Sequence, residues 1–194
     1  MNIRAYKKED EMGWIRCRVL AFLDTAYYDN VLKEKEKYAN PSIELVAEIN
    51  GQIIGLLDIE YEKEEGTVCS RGKGKGGMIW HIAVHPDYRR AGVGQKLLQK
   101  AEEISKELGL NRLEAWTRDD MWVNKWYKKN GFEEVDSYLH VFIKGKELEF
   151  ALTSNIPNLY PIQGFFHYVG DDKQMIAQQF QRVHECFCFI KKLH

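Results

Sequence analysis

The stretch from Met78 to Gly109 constrains the fold more than any other part of this sequence. Met78 to Val84 is almost continuously apolar, which is typical of a central strand covered on both faces. After the glycine-rich turn Gly92-Val93-Gly94, apolar residues recur at helical spacing, and Gly109 stands where a left-handed helix cap is expected. A buried strand, a glycine-rich turn and an amphipathic helix in this order predict an α/β architecture.

Hydrophobic periodicity predicts the other elements. Two β-rich runs flank Asn50-Gly51, the pair that most strongly favours a two-residue hairpin turn. Residues 62–77 are polar, glycine-rich and basic, and we interpret them as a mobile loop. The other predicted strands cover about residues 3–6, 43–49, 52–61, 112–117, 132–143 and 184–190, and the other predicted helices about residues 15–26, 28–37, 119–130 and 171–182. Together they predict a single-domain α/β (α+β) fold over residues 1–194, with a mixed, mostly antiparallel twisted sheet of about seven strands flanked by helices.

Charge and cysteine content exclude several classes of function. The chain has 28 Lys and Arg against 29 Asp and Glu, which argues against a general nucleic-acid or membrane-surface binder. The sequence contains neither C-x-x-C nor H-E-x-x-H, and the alternating Cys186 and Cys188 are interpreted as core, so we predict no metal site. With no apolar signal region and no run of membrane-spanning length, the expected location is cytoplasmic.

The turn after Val84 is predicted to bind a phosphate, because backbone N–H groups and the positive end of a helix dipole converge there. A P-loop is disfavoured because Gly94 is followed by Gln95-Lys96-Leu97 rather than by Lys-Ser/Thr. A dinucleotide fingerprint would need a glycine or alanine where Leu97 stands. A literal G-x-G-x-x-G occurs at Gly72, Gly74 and Gly77, but it precedes a strand, and we interpret it as a chance match.

Two motifs give the chain a resemblance to a known family. Arg89, Gly92 and Gly94 form R-x-x-G-x-G between a strand and a helix, and Trp126-Tyr127 with Gly131-Phe132 form W-Y-x-x-x-G-F at the end of the next helix. The sequence here resembles the GNAT superfamily of N-acetyltransferases, which carry both motifs in this order. The resemblance covers roughly residues 3–143 and 183–191.

The resemblance implies a GNAT-like enzyme that transfers an acetyl group from acetyl-CoA to a primary amine of a small molecule or peptide by direct attack. It implies that the backbone of strand residues 82–84 contacts the pantetheine arm. The N–H groups of residues 90–95, with Arg89, Arg90 or Lys96 nearby, suit the phosphates of coenzyme A. The predicted coenzyme-binding residues are Ile82, Ala83, Val84, Arg89, Arg90, Ala91, Gly92, Val93, Gly94, Gln95, Asn124 and Tyr127.

Tyr127 is the candidate general acid for the departing thiolate, because the family places a tyrosine here. The alternative is that Tyr127 is a core residue, since it shares helical spacing with Trp122 and Trp126. Relatives often have an asparagine seven residues earlier, where this chain has Asp120. We interpret Asp120 as a helix cap, with Asn124 as the substitute contact from the next turn.

The acceptor amine must lose a proton, and two residues are candidates for the base. His81 lies in the strand beside the expected thioester, and Glu114 lies in the neighbouring strand. A hydrogen-bonded structural histidine, a solvent-facing Glu114 and a water chain are the alternatives.

An aromatic-rich insertion at about residues 144–182 precedes the last strand, and residues 144–170 within it are predicted to be an ordered loop. In one interpretation it is a lid that forms an aromatic wall with Trp122 over the acceptor. In the other, its aromatic residues anchor the loop to the sheet or form a homodimer contact.

Three other functions remain open from sequence. The first is a coenzyme A-binding module that has lost the acyl-transfer activity. The second is an acyltransferase that uses another acyl-CoA. The third is a nucleic-acid-binding protein that uses Gly72–Gly77 and Arg71. The third alternative is the weakest, because the net charge of the chain is close to zero, and we expect no nucleic-acid partner.

Overall fold

Eight strands and four helices make up the computed structural model, which describes residues 1–193. The strands are β1 (Asn2–Ala5), β2 (Ser42–Ile49), β3 (Gln52–Tyr61), β4 (Gly76–Val84), β5 (Arg112–Thr117), β6 (Glu133–Lys144), β7 (Gln163–Tyr168) and β8 (Arg182–Lys192). The helices are α1 (Glu11–Phe22), α2 (Val93–Glu107), α3 (Met121–Lys129) and α4 (Lys173–Gln179). Short 3-10 turns cover Lys8–Asp10, Pro86–Tyr88 and Gly145–Phe150.

All eight strands belong to one sheet, in the order β1-β2-β3-β4-β5-β8-β6-β7. Neighbouring strands are antiparallel except β4 and β5, which are parallel. The predicted mixed, mostly antiparallel sheet flanked by helices is therefore confirmed, with eight strands instead of about seven. The connection from β4 through α2 to β5 is the strand–turn–helix unit from which the prediction started.

The helices cover the two faces of the sheet because each has an apolar side. On α2, Leu97, Leu98 and Ala101 are buried in the larger core, which includes Leu57 and Leu113 from the sheet. On α1, Trp14, Cys17 and Ala21 are buried on the other side of the sheet, against Leu56 and Ala83. The four cysteines are free and buried, so the interpretation of Cys186 and Cys188 as core is correct.

The hairpin between β2 and β3 turns at Asn50-Gly51 as predicted. Both residues have positive φ, 51° and 80°, which is the backbone of the tightest hairpin turn and explains the choice of this pair.

The predicted helix at residues 28–37 is wrong, because that segment consists of turns, bends and irregular chain. The Lys35 side chain is buried and its ammonium lies 2.8 Å from the carboxylate of Asp58 in β3. The ion pair between Lys35 and Asp58 is a tertiary contact, and such contacts can override the helix propensity of a segment.

The insertion contains a strand where the sequence predicted only an ordered loop. β7 pairs with β6 from Leu139–Tyr168 to Lys144–Gln163 and forms one edge of the sheet. Exposed and partly buried residues alternate along β7, but aromatic residues lie on both of its sides. The sequence of β7 therefore shows no alternation of apolar and polar residues from which a strand could be predicted. The predicted helix at 171–182 is present as the shorter α4.

The loop at residues 62–77 is tied to the sheet by two buried carboxylates. Glu62 accepts hydrogen bonds from the N–H groups of Gly66, Val68, Cys69 and Gly76. Glu114 accepts from the N–H groups of Ser70 and Arg71. The interpretation as a mobile loop therefore missed these anchors, since a glycine-rich composition does not reveal which side chains bind its backbone.

The helices of residues 1–193 are too short or too polar for any of them to cross a lipid bilayer.

Candidate functional site

Strands β4 and β5 separate at their C-terminal ends. Their pairing runs from Gly76–Arg112 to Ile79–Ala115 and then stops, although β4 continues to Val84 and β5 to Thr117. Trp80 is the extra residue at a bulge in the pairing of β4 with β3, and a bulge bends its strand. We call the gap between residues 80–84 and 116–117 the opening. The predicted residues Ile82, Ala83 and Val84 border it, with backbone that β5 does not pair.

The turn at residues 89–95 presents unused backbone donors beside the opening. Arg90 and Gly92 have left-handed φ values of 65° and 78°, which turns the chain sharply into α2. The first bond of this helix runs from the Lys96 N–H to the Gly92 carbonyl. In the part of the chain that the structure describes, no group accepts from the N–H groups of residues 90–95. Such donors at a helix N-terminus favour an anion.

This turn packs directly against the end of β4. Val93 is buried in the core. A Cβ added to Gly94 would lie 3.4 Å from the Val84 side chain and 3.6 Å from the Trp126 ring. These are ordinary van der Waals distances, so the turn, the end of β4 and Trp126 of α3 lie next to one another at this position.

The Arg89 side chain has partners within the protein, in contrast to the backbone after it. Its guanidinium donates to Asp24 at 2.9 Å and to the Ala21 carbonyl at 2.8 Å, and it lies over the Trp122 ring. Arg89 thus joins the turn to the end of α1. Arg90 and Lys96 are exposed, which leaves them as the cations of this turn that are free to meet a phosphate.

Tyr127 is both a core residue and a candidate acid. Its ring is only 4% exposed and stacks on Phe189 with centroids 5.3 Å apart. Burial raises the pKa of its phenol, and the nearby Tyr27 hydroxyl adds to the rise. No hydrogen-bond partner for the Tyr127 hydroxyl occurs among residues 1–193, and its oxygen is not fully enclosed. Tyr27 itself accepts from the N–H of Arg118, the residue after β5, so this pair of tyrosines marks the end of the opening.

Asp120 does not cap α3 with its side chain, contrary to the sequence interpretation. Both carboxylate oxygens accept from the N–H of Ala26, at 3.1 and 3.0 Å, so Asp120 anchors the segment after α1. On the next turn of α3, the side-chain amide oxygen of Asn124 is buried and has no hydrogen-bond partner among the described residues. An unsatisfied buried polar atom is costly, and this one suits the predicted contact to a coenzyme donor.

His81 is buried between an arginine and a carboxylate. Its Nδ1 lies 3.3 Å from Arg18 Nε, which donates to it, and its Nε2 lies 2.6 Å from the Glu36 carboxylate. This arrangement places the ring proton on Nε2, facing Glu36. The hydrogen bond from His81 holds the pKa of Glu36 below its usual value, and the Glu36 side chain is half-exposed.

Glu114 is not placed to act as a base, and the prediction is wrong on this residue. Its side chain is fully buried. Its carboxylate accepts from Ser70 Oγ and Trp116 Nε1, both at 2.8 Å, in addition to the two loop N–H groups already described. It faces the loop at residues 62–77 and holds that loop in place. A solvent-facing Glu114, the other possibility considered, is equally excluded by its burial.

The aromatic wall that Trp122 was predicted to form with the insertion is absent from the described structure. Trp122 is 52% exposed and lies under Arg89. The insertion instead packs Phe165 on Phe142 and stacks His167 on His140 of β6, at centroid distances of 4.7 and 4.8 Å. Leu159 and Tyr160 are exposed.

Two charged residues near the opening were missed from sequence. Arg18 shares the buried side of α1 with Trp14 and Cys17, and this spacing was the available signal for a buried arginine. Glu36 gave no signal, because it lies in the charged segment at residues 28–37 that was interpreted as a helix.

Comparisons with known proteins are consistent with this geometry. The sequence profile described as the acetyltransferase (GNAT) family matches residues 8–132. An acetyltransferase of Pectobacterium atrosepticum is 28% identical over 141 residues, which is 70% of this chain and 90% of that protein. Among solved structures, an N-acetyltransferase from Staphylococcus aureus Mu50 superposes with a TM-score of 0.62 at 16% identity, covering 100% of this chain and 98% of that one. The PaiA N-acetyltransferase of Thermoplasma acidophilum, solved with coenzyme A, superposes with a TM-score of 0.54 at 20% identity over 70% of this chain and 91% of that one. At these identities the solved structures show a shared fold.

Proposed function

Because this chain belongs to the GNAT acetyltransferase family, we propose that it transfers an acetyl group from acetyl-CoA to a primary amine within the opening between β4 and β5. One observation carries the proposal. The N–H groups of residues 90–95 have no protein acceptor in the described chain, and they lie beside the point where the two strands part.

The residues around the turn fit the charge and shape of coenzyme A. The six N–H groups and the positive end of α2 favour its diphosphate, and Arg90 and Lys96 add two exposed cations. The side-chain amide oxygen of Asn124 is buried and has no donor within residues 1–193. Residues 82–84 pair with β3 on one side only, so their backbone on the β5 side is available for hydrogen bonds to an extended amide-containing arm. Bound there, acetyl-CoA supplies the acyl group as an activated thioester.

In the reaction, the amine nitrogen forms a bond to the acyl carbon, the carbon–sulfur bond breaks, one proton leaves the nitrogen and one reaches the sulfur. Tyr127 is proposed to donate the proton to the sulfur. Its raised pKa keeps the phenol protonated at neutral pH, and its hydroxyl is engaged by no group of residues 1–193. A backbone N–H near residue 82 stabilises the negative charge that develops on the acyl oxygen, an effect of about 3 kcal/mol for one such donor.

The proton from the amine is proposed to pass to the His81–Glu36 pair. Glu36 is half-exposed and stays ionised at neutral pH because its pKa is lowered. His81 holds this carboxylate at 2.6 Å, and Arg18 fixes the histidine ring from the other side. The half-exposed carboxylate is thus the member of the pair that meets the acceptor or a water molecule between them.

The test compares two variants that carry the same backbone strain. Gly92 and Gly109 lie at the two ends of α2, both with positive φ, 78° and 73°, and a Cβ at either meets nothing within 4 Å. Gly92→Trp is expected to weaken coenzyme A binding by at least about tenfold in calorimetry, while Gly109→Trp keeps the affinity of the unaltered protein. Equal affinity in the two variants would place the coenzyme elsewhere.

Turnover is measured with acetyl-CoA and a panel of primary amines, by release of free thiol. Tight coenzyme binding without turnover on any amine would favour the pure binding module over the enzyme.

A further inference from the structure

The face of the sheet opposite α2 carries a continuous aromatic surface beside the opening. We call it the aromatic face and define it by Trp116, Tyr138, His140, Phe142, Phe165 and His167. Neighbouring rings within it lie about 5 Å apart, for example 5.1 Å between Trp116 and Tyr138 and 5.0 Å between His140 and Phe165. Phe165 and His167 at its outer edge are exposed.

Arg118 is a buried cation at the border of this face, and no carboxylate within residues 1–193 forms a salt bridge with it. It is 5% exposed, and its guanidinium lies 4.1 Å from the Tyr27 ring centroid and 4.8 Å from that of Phe142. Its Nε donates to His140 Nδ1 at 3.0 Å, and its Nη1 donates to the Ala26 carbonyl. Nη2 has no acceptor within residues 1–193, and it is not fully enclosed.

The acidic side chains nearby have other partners: Asp120 accepts from the N–H of Ala26 through both carboxylate oxygens, and the other two are paired with cations. Asp29 binds Arg182 through both of its carboxylate oxygens, and Asp119 lies 2.9 Å from His184. A buried charge without a directly paired counter-charge is costly, so the guanidinium, which forms no salt bridge within residues 1–193, points to an anion that comes from outside the chain.

His140 orients this guanidinium without adding charge. Burial and the adjacent Arg118 lower the pKa of His140 to about 3, so the ring is neutral at physiological pH. Its Nδ1 accepts from Arg118, which places the ring proton on Nε2, 3.1 Å from the Tyr138 hydroxyl. The chain Arg118–His140–Tyr138 is thus fixed in one hydrogen-bonding arrangement.

The position of Arg118 relates this cation to the reaction. Arg118 follows the last residue of β5, and its own N–H binds Tyr27 at the end of the opening. The guanidinium itself reaches over His140 and Phe142 of β6, so the amine of a molecule whose carboxylate binds Nη2 must reach from there to the end of the opening. A planar side chain of that molecule has the aromatic face to stack on.

Building on the proposed function, we infer that the acceptor is an amino carboxylate, whose carboxylate binds Arg118 and whose side chain lies on the aromatic face. Both a free amino acid and a peptide that displays a carboxylate near its amine have this chemistry. The substrate series separates these two sources.

The experiment uses the full chain and three amines that share one ring: L-phenylalanine, L-phenylalaninamide and phenethylamine. A carboxylate-binding guanidinium is expected to favour phenylalanine over the other two by about 10- to 100-fold in kcat/KM. Phenylalanyl-glycine, which moves the carboxylate away from the amine, reports whether a free amino acid or a peptide is preferred. Equal kcat/KM for all four amines would overturn the inference and leave the acetyltransferase proposal intact.

Two variants test the residue itself. Arg118→Met is expected to remove the preference for the carboxylate, and Arg118→Lys to retain part of it, while coenzyme A affinity stays unchanged in both. If Arg118→Met fails to fold, the series with the unaltered chain still decides the question. If no amine is acetylated, calorimetry of L-phenylalanine and L-phenylalaninamide in the presence of coenzyme A replaces turnover. Equal or undetectable binding of the two would then refute the amino-carboxylate class, and weaker coenzyme binding in Arg118→Lys would assign Arg118 a structural role instead.

Discussion

Two glycine-rich segments of this protein use their backbone in opposite ways. In the loop at residues 62–77, the N–H groups point inwards to Glu62 and Glu114. In the turn at residues 89–95, the N–H groups have no acceptor among the described residues. The first segment contains the literal G-x-G-x-x-G, and the second lies beside the opening. The comparison shows that a glycine-rich segment can bind an anion only if its backbone N–H groups have no acceptor within the protein. N–H groups that already donate to the protein's own carboxylates are not available to a ligand.

This contrast predicts that the loop carries stability and the turn carries function. The largest effect is expected for Glu62→Gln. Its fully buried carboxylate binds four N–H groups and lies 3.7 Å from Arg112, and an amide cannot accept from all of them. We expect a loss of about 3 kcal/mol in the free energy of unfolding, measured by urea denaturation. Coenzyme A affinity of the folded variant should not change, and a parallel loss of affinity would break the contrast.

The next largest effect is expected on the functional side, for Tyr127→Phe. The substitution keeps the ring that stacks on Phe189 and removes a hydroxyl that no described group uses. We expect kcat to fall by about 100-fold, as for the loss of a general acid, with the free energy of unfolding unchanged. Steady-state kinetics and urea denaturation are measured on the same preparation. Unchanged kcat would leave Tyr127 as a core residue only.

A smaller effect on stability is expected from replacing one glycine in each segment, because the two glycines are needed for different reasons. A Cβ at Gly76 would lie 2.6 Å from the Cys69 sulfur, whereas one at Gly92 meets nothing within 4 Å. We expect Gly76→Ala to cost about 2 kcal/mol through overpacking and Gly92→Ala about 1 kcal/mol through its left-handed backbone. Gly92→Asn should recover part of the latter, because asparagine tolerates this conformation. Thermal unfolding of the three variants provides the test, and an equal cost for both alanines would argue against two separate causes.

The smallest effect is a pH dependence of the loop. Burial opposes ionisation of Glu62, but hydrogen bonds from the backbone of Gly76, Cys69 and Val68 outweigh it and lower its pKa. A lowered pKa stabilises the fold above the pKa of the unfolded chain, about 4.3 for glutamate. This contribution is lost as the pH falls through the pKa of the folded state. The difference in unfolding free energy between the unaltered chain and Glu62→Gln should therefore be constant from pH 7 to about 5 and shrink below that. A difference that widens in acid would contradict the lowered pKa.

Sequence reasoning succeeded where a residue's structure depends on its neighbours along the chain. The hairpin at Asn50-Gly51, the unit β4–turn–α2 and the end of α3 near Asn130-Gly131 all follow from local backbone preferences and periodicity. It failed where a side chain acts across the sheet. Lys35 pairs with Asp58 of β3 from a segment of turns and irregular chain where a helix was predicted, and Glu114, a candidate base from sequence, binds a loop instead.

The candidate site follows the same rule: its locally determined parts were predictable from the sequence, and its long-range contacts were not. The turn at residues 89–95 and Tyr127 are recognisable because their spacing is fixed by one helix or one turn. Arg18 and Glu36 contact His81, and Arg118 separately contacts His140, each from a segment distant in sequence. No local pattern reports such contacts.

By itself, the sequence determined the strand–turn–helix unit, the class of fold and the family, since all three depend on short-range spacing and on turns that only certain residues adopt. Only the tertiary structure decided which backbone donors are used up by buried carboxylates and which remain unused. The physical reason is that long-range contacts decide which backbone donors of a folded chain find an acceptor. Glu62, directly after β3, and Glu114 in β5 accept from the N–H groups of one glycine-rich segment, and no carboxylate of residues 1–193 accepts from those of the other.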